Sequence, residues 1–368
     1  MKIMLTYNND LTVFLSTIFR AIGFKIDYLG RPTQKTIELA TKYSPEAWCF
    51  DTKLMLGQAI EGAKRGNEIL TMPGAWGGKN ENCLLGYLCK GVMEKRIEKA
   101  VGRKIKLWYF NINPIEMMYS GYFAAYKNIA LLRKYSKARF FRTKAIKAFI
   151  LGVGKMKMAA KLKEKILDSA DVAEKEKLFS VYDNFIYDMI YNADTKEDAK
   201  KAFEEAAAGI LNLRKKKLGK KLVIGIIGDY EHTLLSTFPV LDIEKFLLLQ
   251  DVFVKQPLSF VNYFSFLSPL YSSRNRKGLE ELLPKSVAGS DAVTILCANY
   301  LKNRVDGLIH VGTFSCTPEE VADEVLLAHK EKFPPILSLS YDAHTTEENM
   351  KVRIEAFVDM LLAHKRRK

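Results

Sequence analysis

One rhythm constrains this chain more than any other feature, and it occurs twice. Short apolar runs alternate with segments whose apolar residues recur every three or four positions. That alternation predicts parallel strands covered by helices. In the first stretch it predicts strands at Lys2–Tyr7, Lys25–Leu29, Glu68–Met72 and Ile105–Phe110. Helices are expected over Leu11–Ile22, Thr33–Lys42, Asp51–Lys64 and Leu84–Ala100. The rhythm resumes with strands at Leu222–Ile227, Leu308–Phe314 and Ile336–Tyr341. Helices there are predicted over Ile243–Asp251, Ala292–Lys302, Pro318–Lys330 and Glu347–Leu362, with a frayed tail at Lys365–Lys368. Between the two stretches, Pro114 to Lys217 reads as helical throughout.

The expectation is therefore an α/β chain: two Rossmann-like parallel-sheet lobes with a helical insertion between them. The divisions fall at 1–113 for the N-terminal lobe, 114–219 for the basic helical subdomain and 220–368 for the C-terminal lobe. A length of 368 residues exceeds what one compact core usually holds and agrees with more than one unit. At 48% apolar residues the chain has enough to fill real cores, which excludes a disordered protein.

No apolar run approaches the ~20 residues needed to span a bilayer. Met1-Lys2-Ile3 leads into a strand-like segment without the small-residue cleavage site of a signal peptide. A cytoplasmic protein with no membrane partner is the expectation. The net charge of +15 points to an anionic partner: nucleic acid, a phosphorylated ligand or an acidic protein. The cluster Arg133, Lys134, Lys137, Arg139, Arg142, Lys144 and Lys147 motivates a nucleic-acid reading. No aromatic-interleaved recognition motif accompanies it, so that reading ranks last.

Five cysteines in a reducing compartment argue against a disulfide framework, and no Cys-x-x-Cys pair offers a zinc knuckle. Three of them share one setting. Cys49 precedes the helix opening at Asp51. Cys83 follows the glycine-rich loop Pro73-Gly74-Ala75-Trp76-Gly77-Gly78 and opens the next helix. Cys316 ends a strand, with Thr317 suited to the N-cap and Pro318 to the first helical position. Helix N-termini favour negative charge and lower thiol pKa values. Open α/β sheets bind ligands at the carboxyl ends of their strands. Three thiolates suit a 4Fe–4S cube with one iron left open, the mark of a catalytic rather than purely electron-transferring site, and a three-thiolate zinc site is the alternative, though no fourth ligand is evident nearby. Small buried hydrophobes remain the plain alternative for scattered cysteines, and Cys89 and Cys297 fit it best.

His344, in Tyr341-Asp342-Ala343-His344, follows a strand end on the same edge and is a candidate proton donor. His310, inside a strand, is expected to be buried. Gly225-Ile226-Ile227-Gly228-Asp229 lacks the full dinucleotide fingerprint, and a tight turn explains its glycines as well as phosphate binding does.

The segments around these cysteines resemble the 2-hydroxyacyl-CoA dehydratase and benzoyl-CoA reductase superfamily, in particular its activase-related branch, the CoA protein activases. The first likeness is Cys49-Phe50-Asp51-Thr52-Lys53 with Gly57 and Gly62. The second runs from Gly77-Gly78 through Cys83 to Gly86-Tyr87. The third joins Asp306-Gly307-Leu308-Ile309 and Phe314-Ser315-Cys316-Thr317-Pro318-Glu319 to Leu337–His344 and Arg353–Asp359. Asp51 stands where that family has proline, Asn82 and Leu84 replace proline and arginine beside Cys83, and Asn349 replaces a glycine.

The resemblance implies a 4Fe–4S cluster between two α/β lobes, held by Cys49, Cys83 and Cys316. It implies an ATP-dependent activator protein as electron donor, an acyl-CoA-type substrate, and pairing of subunits as a homo- or hetero-dimer. An enzyme or reductase component is the leading expectation. A non-enzymatic iron–sulfur carrier or redox relay is the alternative.

Overall fold

The computed structural model describes residues 1–5, 9–73, 91–110, 129–219, 221–229, 241–259, 261–262, 270, 272–282 and 290–367. Two four-stranded sheets organise it, and every strand pairing in both is parallel. The chain is thus α/β with two Rossmann-like lobes, as its rhythm predicts. The first sheet contains β1 (Lys2–Leu5), β2 (Lys25–Tyr28), β3 (Ile69–Pro73) and β4 (Lys106–Phe110) in the order β2-β1-β3-β4. The second contains β5 (Val223–Gly228), β6 (Phe253–Lys255), β7 (Gly307–Thr313) and β8 (Ile336–Tyr341) in the order β6-β5-β7-β8. The two orders are the same. Each sheet starts at an inner strand, steps outward, and returns to the other side. The order therefore reverses between β1 and β3, and again between β5 and β7.

Helices of the first lobe are α1 (Asn9–Ala21), α2 (Gln34–Tyr43), α3 (Phe50–Lys64) and α4 (Val92–Val101). Thr33 caps α2 through a capping box with Thr36. Gly57 lets α3 approach α2: a Cβ there would lie 2.3 Å from the Thr36 carbonyl oxygen. The middle of the chain supplies α5 (Phe141–Leu167), α6 (Lys175–Tyr191) and α7 (Lys196–Leu211). The second lobe adds α8 (Ile243–Leu249), α9 (Ser273–Leu282), α10 (Ser290–Leu301), α11 (Thr317–Ala328) and α12 (Glu347–Arg367).

The middle helices pack into both lobes. Phe141, Ala145, Ala148 and Met156 of α5 share a core with Phe14, Ile18, Phe19 and Trp108. Ala159 and Leu162, with Leu178 and Ile186 of α6, join a second core that runs through Ile224, Val311, Leu339 and Phe357.

Three elements differ from their sequence reading. β6 is only three residues, too short to show alternation. α9 carries just two apolar side chains, Leu279 and Leu282, so its period is faint. The C-terminal tail does not fray at Lys365: α12 continues to Arg367, and the Lys365 ammonium lies 2.6 Å from the Asp306 carboxylate. The predicted helix from Leu84 begins, among the described residues, at Val92.

Candidate functional site at the carboxyl edges of the sheets

α3 runs back along its sheet. Its C-terminal end lies at the amino edge of the strands, where Lys2 Nζ donates to the Arg65 carbonyl. Its N-terminus, with Cys49 and Asp51, therefore sits at the carboxyl edge. Cys49 occupies the N-cap of α3 and is half-buried, its Sγ 3.0 Å from Thr52 Oγ1.

In the second lobe, three residues separate the end of β7 from the start of α11. Its N-cap is Cys316, one residue earlier than the sequence suggests. The Cys316 carbonyl accepts from the backbone N–H groups of Glu319 and Glu320, 3.0 Å each, so the first helical bonds close on the cysteine and Thr317 is already helical. Ser315, just before it, holds a left-handed backbone at φ 68°. For a residue with a Cβ that conformation costs on the order of 1 kcal/mol.

The two lobes meet through a buried polar network. Asp51, 8% exposed in the first turn of α3, accepts from Thr313 Oγ1 at the end of β7 and from Tyr341 OH at the end of β8, the latter at 2.7 Å. Asp229, which follows β5, takes part from the second lobe: its Oδ2 lies 2.8 Å from Thr313 Oγ1 and 3.3 Å from Tyr341 OH. Asp229 and Thr313 follow or end the two strands between which the second sheet reverses its order, where open α/β sheets bind ligands. Burial pushes the Asp51 carboxyl up to about 6 against the hydrogen bonds from Thr313 and Tyr341. The Tyr341 hydroxyl is pushed well above its ordinary value by burial and by the carboxylates of Asp229 and Asp51.

Gly228 shapes the same corner. It ends β5 at φ +131°, and a Cβ there would lie 1.9 Å from the Val311 carbonyl oxygen. Close strand approach thus explains this glycine, and Gly225 lies within β5 against Leu301 and Leu308. The segment is strand rather than a phosphate-cradling loop.

A second network lies behind Cys316. His310, 3% exposed in the middle of β7, faces Glu319 through Nε2 at 3.1 Å and Asp323 through Nδ1 at 3.0 Å. Thr294 of α10 donates towards the same Glu319 carboxylate and the Gly228 carbonyl. Ser338 of β8 donates to Asp323. Burial alone would push the His310 imidazole down; its bonds to Asp323 and Glu319 outweigh that and carry it up to about 9.

The Cys316 thiol is pushed up, not down, despite its place at a helix N-terminus. Burial is the main cause, followed by the charges of Glu319, Cys49 and Asp229. The two thiols from different lobes are thus near enough to oppose each other's ionisation. Both cysteines are half-buried, and the raised pKa leaves the Cys316 thiol protonated unless a bound cation displaces its proton.

Of the sequence-predicted residues, Cys49 and Cys316 lie near enough for the charge of one to raise the pKa of the other. Cys83 and Cys89 lie outside the described residues. Among the described residues, no group of three or more His, Cys, Asp or Glu side chains is arranged to hold a metal ion. Cys297 is buried in α10 at 1% exposure, as a packing residue should be. His344 sits on the exposed turn after β8, where its backbone N–H donates to Asp342, and it takes no part in either network. A cavity of about 580 Å3 opens between α5, the segment after β6 and the end of α10, but neither Cys49 nor Cys316 lines it.

Sequence reasoning quoted Asp51, Asp229 and Glu319 within motifs but gave no functional role to them, nor to Thr313 or Asp323.

Comparison with protein-family models and with curated proteins found no match to this chain. Among the described residues, no helix is long and apolar enough to cross a membrane.

Proposed function

We propose that this chain is an iron–sulfur protein. Its 4Fe–4S cluster would be held between the lobes by Cys49, Cys83 and Cys316. It would accept a low-potential electron from an ATP-dependent activator, for reduction or dehydration of an acyl-CoA-type substrate. The observation that carries the reading is that Cys49 and Cys316 each stand at the N-cap of a helix on the carboxyl edge of their own sheets, near enough for the charge of one to act on the other. When bound, a three-thiolate cluster supplies one-electron chemistry at an iron without a cysteine ligand.

The surrounding residues suit that role. The helix N-termini of α3 and α11 offer partial positive charge to thiolates. The Asp229 and Glu319 carboxylates, both acting on the Cys316 thiol, oppose any added negative charge at this place. Such an environment favours low reduction potentials, which is the regime that calls for an energy-driven electron donor. The Asp51, Thr313 and Tyr341 bonds hold the two cysteine-bearing edges together.

The test is anaerobic purification with iron and sulfide counted per chain, for the wild type and the Cys49→Ser, Cys83→Ser and Cys316→Ser variants. About four irons and four sulfides are expected, lost in each of these variants and kept in Cys297→Ser. Iron-free protein after anaerobic reconstitution would refute the reading. A loaded protein that hands its cluster to an apo-acceptor but shows no activator-dependent turnover would move it to the carrier alternative.

A further inference from the structure

Positive charge is concentrated in one stretch of the chain. Between Met117 and Lys163 the sequence holds twelve Lys and Arg and no Asp or Glu. The described part of this stretch includes the first half of α5. Phe141, Ala145, Ala148 and Gly152 form its buried stripe. Helical geometry then sets Ile146 and Ile150, one turn apart, towards the crest of the opposite face. They are 49% and 68% exposed. The crest of a solvated helix is normally polar; here two branched aliphatics hold it, flanked by exposed Arg142 and Lys147.

Phe140, at the N-cap of α5, adds a second and independent anomaly. Its backbone is left-handed at φ 58°, and its side chain is 68% exposed. An aromatic residue is thus held in a costly conformation that leaves its ring in water, with the Arg139 guanidinium 5.0 Å from the ring. Beside this face runs a groove of about 450 Å3, lined by Lys144 and Lys147 and by Arg20, which pairs with Asp194 in the same lining.

We infer that this face of α5 docks on an anionic lipid surface. Phe140, Ile146 and Ile150 enter the boundary between headgroups and acyl chains, and Arg139, Arg142 and Lys147 meet lipid phosphates. Exposed aliphatics interleaved with cations are the signature of interfacial helices, whose binding combines buried apolar area with attraction to anionic lipid. A nucleic acid would reward the cations but not branched aliphatics at the crest. The early expectation of no membrane partner rested on the lack of a spanning run, which surface docking does not need.

The experiment is flotation of the full-length protein with vesicles of phosphatidylcholine alone, and of phosphatidylcholine mixed with phosphatidylglycerol. Binding is expected only to the mixed vesicles and should weaken as salt rises. Ile150→Glu should weaken it about tenfold, and Phe140→Ser by a smaller factor. Both sites are exposed, so thermal melts matching the wild type are expected for both variants. No binding to mixed vesicles at low salt would overturn the inference. So would binding that both variants retain in full, or binding to duplex nucleic acid that is tighter than to vesicles; either would reduce the face to a charge effect.

Discussion

His310 makes the sharpest prediction in the fold. Its two ring nitrogens lie 3.1 Å from a Glu319 oxygen and 3.0 Å from an Asp323 oxygen. A neutral imidazole has one N–H, so one of these contacts would set lone pair against lone pair. Only the imidazolium donates to both. Burial opposes that charge, yet the two carboxylates carry the group from 6.5 up to about 9. At about 1.4 kcal/mol for each tenfold change in proton affinity, the difference is worth about 3 kcal/mol of folding stability. The folded protein binds this proton more tightly than the unfolded chain does. The stabilisation is therefore complete below about pH 6.5 and falls as pH rises, disappearing above about pH 9. The assay is urea unfolding of the wild type and of His310→Gln at several pH values between about 6 and about 10. Taking the wild type minus the variant cancels the titration of groups remote from His310, and Asp323, which His310 holds below its ordinary value, titrates below this window. The difference should shrink by about 3 kcal/mol across that range. Curves that stay parallel would refute the charged imidazole and, with it, the carboxylate–imidazolium–carboxylate description of β7 and α11.

The other predictions concern the remaining buried polar groups. Thr313→Val and Tyr341→Phe should each cost about 1–3 kcal/mol, because each strips a donor from a buried carboxylate. Combined with Asp51→Asn they should fall well short of additive, and full additivity in denaturant melts would show that the three do not form one network. Lys155 behaves oppositely to His310. Its ammonium is 1% exposed, donates to the Ala193 carbonyl at 2.9 Å, and is pushed down to about 8 by burial. The unfolded chain therefore binds this proton more tightly, so stability should rise as pH climbs from about 8 towards about 10.5; Lys155→Met should flatten that rise in the same urea titration.

Much of the architecture was legible because short strand-like runs alternate with helical segments, most plainly at the buried inner strands β5 and β7, and seven of the eight strands were found from that rhythm. β6 escaped because three residues cannot show a period, and α9 because Leu279 and Leu282 were too sparse to show one. The tail was misread for a different reason: Lys365 is ordered by Asp306, a partner far off in sequence that no local propensity encodes. In the site, Cys49 and Cys316 were legible through a local rule, since each stands where a coil or strand gives way to a helix. The pairing of Asp51 with Thr313 and Tyr341 was not, because no rule of spacing links the first turn of one lobe's helix to the strand ends of the other.

The second network was nearer to view than it seemed. Every residue of β7 is buried, so a histidine at its centre must find hydrogen-bond partners. The helix that follows carries Glu319 and Asp323 four residues apart, hence on one face, and that helix packs back over the strand it leaves. A buried-strand histidine followed by a carboxylate pair at helical spacing therefore predicts an imidazolium clamp from sequence alone. The same logic reaches the thiols. Glu319 closes the first turn of α11 on Cys316 and braces His310 in the strand beneath, so the helix bearing the cysteine is held to its sheet by charge as well as by packing. The cysteine position that the local rule finds is thus fixed in space by residues that only the pairing of strand with helix reveals.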